Sequence, residues 1–416
     1  MNVRKATKAD EAIVKSLWGY CFEKPSDPFF GWYFQNLCHM EEVLVGEENG
    51  QIACDLHRRP YTIQVRGKSF PVDYIVGVAT HPAARGKGYA RELLRGEFRL
   101  AEKEGKSLVI LMPSAASFYL PMGFGFYVHQ WERKASPECL SAISEKPVSC
   151  ATLTDDSRWQ ELAYVYDQYT KYRNGYALRD EASWKTHIQG ALLEGYVAVI
   201  YDNKKPIGYL CYTLEDRNLM VSEMAFVNEA GRKGIYAYMA GHQGSIDTCT
   251  WQEPLDDTSF RYWNDGAEHC YIQNRTFPYM LGRVTDPVSA FDGISCDTTC
   301  AGKIAFHLTD SFLPENSGLY ILEAENGRIR ALREDSLKSH VGDVSGGPLG
   351  DCISKPAFSL SASCLAEWLL GAADISELLQ LEKAQWLIQG KRERQEVQSL
   401  ADAMLPKQKN WINEWY

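Results

Sequence analysis

Residues 76–90, Val76-Gly-Val-Ala-Thr-His-Pro-Ala-Ala-Arg-Gly-Lys-Gly-Tyr-Ala90, constrain this chain more than any other stretch. An apolar run ending at Thr80 meets Pro82, then Arg85, then Gly86 and Gly88 one residue apart. Ala90, Leu93, Leu94, Phe98 and Ala101 follow at the spacing of one helical face, which Gly105 closes. A strand that feeds a glycine turn and a helix leaves backbone N–H groups unpaired at the helix N-terminus. With the cations of Arg85 and Lys87 beside them, those groups form a seat for a pyrophosphate. The chain must therefore be α/β, with a strand end and a helix start meeting at one anion site.

At 416 residues the chain predicts two or three domains rather than one core. Its 45% hydrophobic and 24% charged residues make it globular. No apolar run reaches the roughly 20 residues of a membrane span. No apolar segment follows the start, Met1-Asn-Val-Arg-Lys, as a signal peptide requires. A cytoplasmic protein with no membrane partner is the expectation. The net charge of −10 argues against nucleic acid, which needs a basic face, and suits a cationic substrate. The 12 cysteines include no Cys-x-x-Cys pair, and no His lies at ligand spacing near Cys296 and Cys300. Reduced thiols and no metal site are predicted.

Three segments emerge along the chain. The first, 1–150, is mixed α/β: a strand at 3–6, a helix from Asp10 with Ile13, Val14, Leu17 and Trp18 on one face, a hairpin through Asn49-Gly50, and another through Arg66-Gly67. The second, 151–285, repeats that pattern in worn form. It has a helix at 159–172, two strands around Asp202-Asn-Lys-Lys-Pro and a strand at 220–227. Its counterpart of the glycine turn, Arg232-Lys-Gly234-Ile235-Tyr-Ala237, carries Ile235 where the pattern needs glycine, and a Cβ there obstructs a phosphate. This segment reads as degenerate and structural. The third, 286–416, holds a hairpin through Asn326-Gly327, a strand at 357–360, and a helix capped by Ser361 or Ser363 and ended by Gly371.

The order Val78-x-Thr80-x-Pro82-x-x-Arg85-x-x-Gly88-x-Ala90 resembles the acyl-CoA-binding motif of the GNAT acyltransferase superfamily. Two such segments followed by the third resemble the enhanced intracellular survival (Eis) family of N-acetyltransferases, over essentially the whole chain. The resemblance implies a mixed α/β fold of tandem GNAT-like domains followed by a sterol-carrier-protein-like domain. It implies acetyl-CoA as co-substrate, a primary amine of a cationic small molecule or lysine as acceptor, and a homo-oligomer, trimer or hexamer. Val78, Ala79, Thr80, Arg85, Gly86, Lys87, Gly88, Tyr89 and Ala90 would hold the cofactor, and Ser114 would reach its pantetheine arm. The segment Ser117-Phe118-Tyr119-Leu-Pro-Met-Gly123-Phe124 resembles the superfamily's second motif and places its general acid on Tyr119. A phenol with a pKa near 10 is matched to a departing thiolate. A catalytically silent acyl-CoA- or lipid-binding protein is the alternative reading.

No base stands out: His81 falls inside the cofactor loop and His129 past the active-site strand. In the Eis family the C-terminal carboxylate serves, which here belongs to Tyr416. The tail, Trp411-Ile-Asn-Glu-Trp-Tyr416, is aromatic enough that leaving it in water would be costly, so it is predicted to dock. Trp18, Phe22, Glu23 and Asp27, with Glu414, are the candidates for the amine pocket, since acidic and aromatic groups together suit a cationic amine.

Overall fold

The computed structural model describes residues 1–144, 149–263, 272–334 and 355–414. Among these, thirteen strands form one continuous sheet and five a second. The first unit contributes β1 (Asn2–Lys5), β2 (Val43–Glu48), β3 (Gln51–Val65), β4 (Lys68–Thr80), β5 (Leu108–Leu111) and β6 (Gly125–Ala135). The two predicted hairpins are present, joining β2 to β3 and β3 to β4 in antiparallel register. Helices α1 (Glu11–Cys21) and α2 (Pro28–Asn36) cover one face of this sheet, and α3 (Tyr89–Lys103) the other. Asp27 starts α2 by accepting the N–H of Phe29, with Pro28 in the first turn. The short helix α4 (Ala116–Tyr119) follows β5, and α5 (Pro137–Ile143) follows β6.

The second unit continues the sheet. In chain order it has β7 (Ser149–Leu153), α6 (Trp159–Thr170), β8 (Tyr176–Ala177), α7 (Glu181–Glu194), β9 (Tyr196–Asp202), β10 (Lys205–Glu215), β11 (Asn218–Phe226), α8 (Glu229–Ala240) and β12 (Thr248–Pro254). Strand β13 (Gln273–Val284) then leaves its own unit and inserts between β5 and β6. With β12 paired to β6, the sheet runs unbroken from β1 to β7. The small β8 crosses over to pair with β3.

Residues 232–237 lie inside α8, not in a turn before it. Asn228 caps α8 by accepting the N–H of Gly231, so the glycine turn of the first unit has been absorbed into the helix. Ile235 is fully buried there. The third unit carries the short helix α9 (Pro287–Phe291) and strands β14 (Gly302–Thr309), β15 (Gly318–Glu325), β16 (Arg328–Arg333), β17 (Phe358–Ser361) and β18 (Gln385–Trp386). Its helix α10 (Ala362–Leu370) is capped by Ser361, one of the two predicted caps, and ended by left-handed Gly371. Helices α11 (Ile375–Gln380) and α12 (Lys391–Met404) complete it. A Cβ on Gly125 of β6 would lie 2.2 Å from the carbonyl of Ser363, so glycine lets α10 press directly on the large sheet. Nine described cysteines are free thiols, but Cys139 is disulfide-bonded, a correction to the all-reduced expectation.

Candidate active site

Strands β4 and β5 run parallel and in register from Val72–Leu108 to Ile75–Leu111. There β5 ends, while β4 continues to Thr80. The β3–β4 register slips between His57 and Arg58, leaving Val76 as an extra residue in β4. A bulge bends its strand, and this one sits where β4 leaves β5. Val78, Ala79 and Thr80 pair with β3 on one edge and have no β5 partner on the other.

Past Thr80 the chain makes the predicted turn. Arg85 Nε donates to the carbonyl of Thr80 at 3.2 Å. Gly86 and Gly88 have φ of 79° and 81°, a left-handed conformation that disfavours any Cβ, and Gly88 is the cap of α3. A Cβ built on either meets no described atom within 4 Å beyond its own chain neighbours, so these glycines leave open space rather than fill a packing gap. The N–H groups of Arg85 and Arg91 bond Pro82 and Gly88. Those of 86–90 have no backbone acceptor among the described residues. Arg85 and Lys87 are exposed beside them. Lys87 reaches Glu48 at 3.3 Å and lies over the ring of buried Tyr89. Ala90 is half-buried. A cation-flanked open turn with free N–H groups fits a pyrophosphate.

Beyond β5, Ser114 is exposed, and Tyr119 closes α4 half-buried. Its ring stands edge-on to Phe118 and to Phe124, with centroids 5.0 and 5.8 Å away. Two rings thus hold the phenol just past the end of the diverging strand.

The tail docks as predicted through Glu414, and Tyr416 lies outside the described residues. Trp411 packs on Tyr166 and Tyr169 of α6 and donates its N–H to the carbonyl of Asn174. Gln130 of β6 donates to the carbonyl of Ile412 at 2.8 Å. Tyr74 of β4 donates to that of Glu414 at 2.9 Å. The tail therefore crosses from the second unit to the first, bonded to β6 and then to β4.

A cavity of about 1150 Å³ opens between the units. Phe29 and Trp32 of α2, Tyr61 of β3 and Glu194 of α7 form its walls, and Arg179, Glu223 and Glu414 also line it. Of the five residues predicted for the amine pocket, Glu414 alone lines it among the described residues. Trp18 is fully buried, stacked on Tyr33 and donating its indole N–H to Glu23 at 2.6 Å. Phe22 packs on Trp18. Asp27 caps α2, yet its charge reaches the cavity wall: burial, Asp27, Glu215 and Glu23 together push the Glu194 carboxyl up.

Family models of the GNAT acetyltransferase domain match residues 2–127 and 175–284, and one of the sterol carrier protein domain matches 288–413. The chain belongs to the GNAT acetyltransferases. Its fold is shared over 100% of its length by a GCN5-related N-acetyltransferase from Anabaena variabilis (17% identity, TM-score 0.81, 100% of that chain). A probable N-acyltransferase from Enterococcus faecalis is similar (16%, TM-score 0.80, 99% of that chain), as is Eis1 from Mycobacterium abscessus (14%, TM-score 0.72, 100% of that chain). No curated protein matches the sequence. The architecture is thus tandem GNAT domains followed by a sterol-carrier-like domain, in a family that uses acyl-CoA donors. No helix among the described residues is long and apolar enough to cross a membrane.

Two groups in this acetyltransferase escaped the sequence reading. Arg179 lies two residues past the end of β8 and is held by Glu223 and Glu414 in a buried cluster. Asp55 and His57 share one face of β3, both fully buried, with Asp55 Oδ2 3.8 Å from His57 Nε2 and the other His57 nitrogen 2.9 Å from the Tyr33 hydroxyl. Burial pushes the Asp55 carboxyl up. The alternation of Asp55 and His57 on either side of Leu56 in β3 is the one signal that marked the second pair. For Arg179 no local pattern exists, since its partners lie 44 and 235 residues away.

Proposed function

We propose that the enzyme transfers an acetyl group from acetyl-CoA to a primary amine of a cationic acceptor by direct attack. The observation that carries this reading is the β4–β5 divergence opening beside the left-handed Gly86–Gly88 seat, with Tyr119 following β5. The N–H groups of 86–90, with Arg85 and Lys87, hold the pyrophosphate. The free edge of Val78, Ala79 and Thr80 pairs with the pantetheine arm, and Ser114 touches it from across the gap. An N–H on that edge polarises the thioester carbonyl, where negative charge develops as the amine attacks.

The acceptor enters through the interdomain cavity. Its aromatic walls and the acidic group of Glu194, with Glu23 and Asp27 behind, favour a cation, while Glu223 and Glu414 are already paired with Arg179. The ammonium must lose a proton before it attacks. The Tyr416 carboxylate takes that proton, directly or through a water, and Tyr119 gives one to the leaving thiolate, so protons balance over one turnover. A terminal carboxylate has a pKa near 3.5, and partial burial raises it toward what a base needs.

Thiol release from acetyl-CoA with a panel of amines tests the reading, comparing wild type, Tyr119→Phe and a chain extended beyond Tyr416. Amine-dependent release that collapses in both variants supports it. Tight binding of CoA without turnover on any amine overturns it in favour of a silent acyl-CoA-binding protein.

A further inference from the structure

The second GNAT domain repeats the strand geometry by which the first makes its divergence. Strands β11 and β12 pair in parallel from Asn218–Thr248 to Met220–Thr250, after which β11 runs on to Phe226. The β10–β11 register slips between Cys211 and Tyr212, leaving Ser222 as the extra residue, the counterpart of Val76. In this domain the chain's own tail lies against the bulge. Asn413 Nδ2 donates to the carbonyl of Ser222. The next residue along β11, Glu223, receives two N–H groups of Arg179 at 2.9 and 2.6 Å. The same guanidinium donates through Nε to Glu414 at 2.9 Å and reaches the Asn413 carbonyl at 3.4 Å.

The centre of this clamp is a buried ion pair with partners of its own besides the tail. The Arg179 and Glu223 side chains are 2% and 1% exposed and neutralise each other. Tyr209 donates to Glu223 at 2.5 Å, and His187 Nε2 lies 3.3 Å from it. The Arg179 guanidinium sits against Tyr166 and Trp184, 4.7 Å from each ring. Burial acts against the charge on Glu223, but Arg179 and then His187 hold its carboxyl below the ordinary carboxylate range. Arg179 therefore needs no second carboxylate for neutrality. Its bond to Glu414 fixes the tail rather than completing the pair. A planar guanidinium with fixed donors suits this task, because it bridges two carboxylates in one geometry.

We propose that the clamp formed by the Ser222 bulge carbonyl and the Arg179–Glu223 pair positions the chain terminus for proton removal. The degenerate domain then serves catalysis by holding the tail at its own bulge, the counterpart of Val76, and Arg179 and Asn413 are positioning residues. This rests on the reading of the Tyr416 carboxylate as base. Tyr416 lies two residues past Glu414, a chain length of at most about 7 Å, so an error in the seat of Glu414 passes directly to the carboxylate.

Steady-state kinetics of the full chain, with acetyl-CoA and an amine that wild type acetylates, test the proposal. The variants are Asn413→Ala, Arg179→Lys, Arg179→Gln and a chain extended beyond Tyr416. Asn413→Ala and Arg179→Lys are expected to lower kcat about 10- to 100-fold, to leave KM for acetyl-CoA unchanged and to displace the acid limb of the kcat–pH profile. Arg179→Lys is expected to retain more activity than Arg179→Gln, since it keeps the charge and loses only the fork. Should the Arg179 variants fail to fold, Asn413→Ala decides alone, because it leaves the Arg179–Glu223 pair intact. Wild-type kcat and pH profile in Asn413→Ala, with the extended chain inactive, overturns the clamp and leaves the terminal base standing. Wild-type kcat in the extended chain overturns the terminal base and the clamp with it.

Discussion

The hydroxyl of Tyr74 donates to the carbonyl of Glu414 across 340 residues of sequence, at 2.9 Å. Tyr74 lies on β4 two residues before the Val76 bulge, so the end of the described backbone is tied to the strand that diverges from β5. The opposite side of the same tail is tied to the second domain through Arg179 and Ser222. One segment thus spans both acetyltransferase domains at their divergence points, and its docking energy becomes part of the active site's stability.

Trp411 is the bulkiest side chain that the described tail buries. It is buried against Tyr166 and Tyr169, and its loss leaves a cavity as well as exposed apolar surface. Trp411→Ala is expected to weaken tail docking by about 3–5 kcal/mol. The measurement is limited proteolysis of the C-terminus together with kcat. Faster C-terminal cleavage with a kcat loss is expected, while the bulk of the chain melts close to wild type. Unchanged cleavage rates refute the contribution assigned to Trp411.

Removing the hydroxyl of Tyr119 keeps its ring between Phe118 and Phe124 and takes away the O–H proposed as the proton donor. Tyr119→Phe is therefore expected to lower kcat by about 10²- to 10⁴-fold at unchanged affinity for CoA. Calorimetric CoA binding alongside turnover separates the two quantities. A parallel loss of affinity would instead make Tyr119 a binding residue.

Local chemistry is what the sequence carries best. The glycine turn, the two hairpins of the first domain and the Ser361–Gly371 helix limits all rest on residues whose backbone preferences act within a few positions. Insertion of β13 between β5 and β6 was not legible, because strand pairing across the chain leaves no local signature. The same holds for the interdomain cavity. Trp18 satisfied the aromatic criterion but is consumed by packing on Tyr33, while Trp32 and Tyr61, unremarkable in their segments, face the cavity. In the second domain, Ile235 signalled the lost phosphate seat, although the reason is a helix that starts earlier rather than a blocked turn.

Glu97 of α3 gives the fold a pH dependence remote from the donor seat. Its carboxyl is fully buried, 3.7 Å from Arg58 and close to Asp73. Burial first, and then Asp73, raise it well above 4.5, against the pull of Arg58 and Lys106. From about pH 4.5 up to its folded pKa, the native state keeps a proton that the unfolded chain has released, so this group's contribution to stability falls as pH rises. Glu97→Gln removes that slope. Thermal unfolding of both proteins from pH 5 to pH 8 is expected to show a flatter curve for the variant and a higher Tm at pH 8. Parallel curves would mean that Glu97 is ionised and paired with Arg58 in the native state.

Gly88 separates the conformational role of the glycine turn from its role as a seat. Its φ of 81° makes any L side chain strained, and Gly88→Ala is expected to destabilise the chain by about 1–2 kcal/mol. Beyond the adjoining residues of its own chain segment, no described atom lies within 4 Å of the new Cβ, so it meets no tertiary clash. A pyrophosphate in the seat would occupy that same space. The variant is therefore expected to bind CoA at least about tenfold more weakly, a further ~1.4 kcal/mol, while dephosphorylated pantetheine, which lacks the pyrophosphate, loses little. Calorimetric titration of both ligands against wild type and Gly88→Ala distinguishes the cases. Equal losses for the two ligands would show that the substitution has only distorted the start of α3, and undiminished CoA affinity would place the pyrophosphate elsewhere.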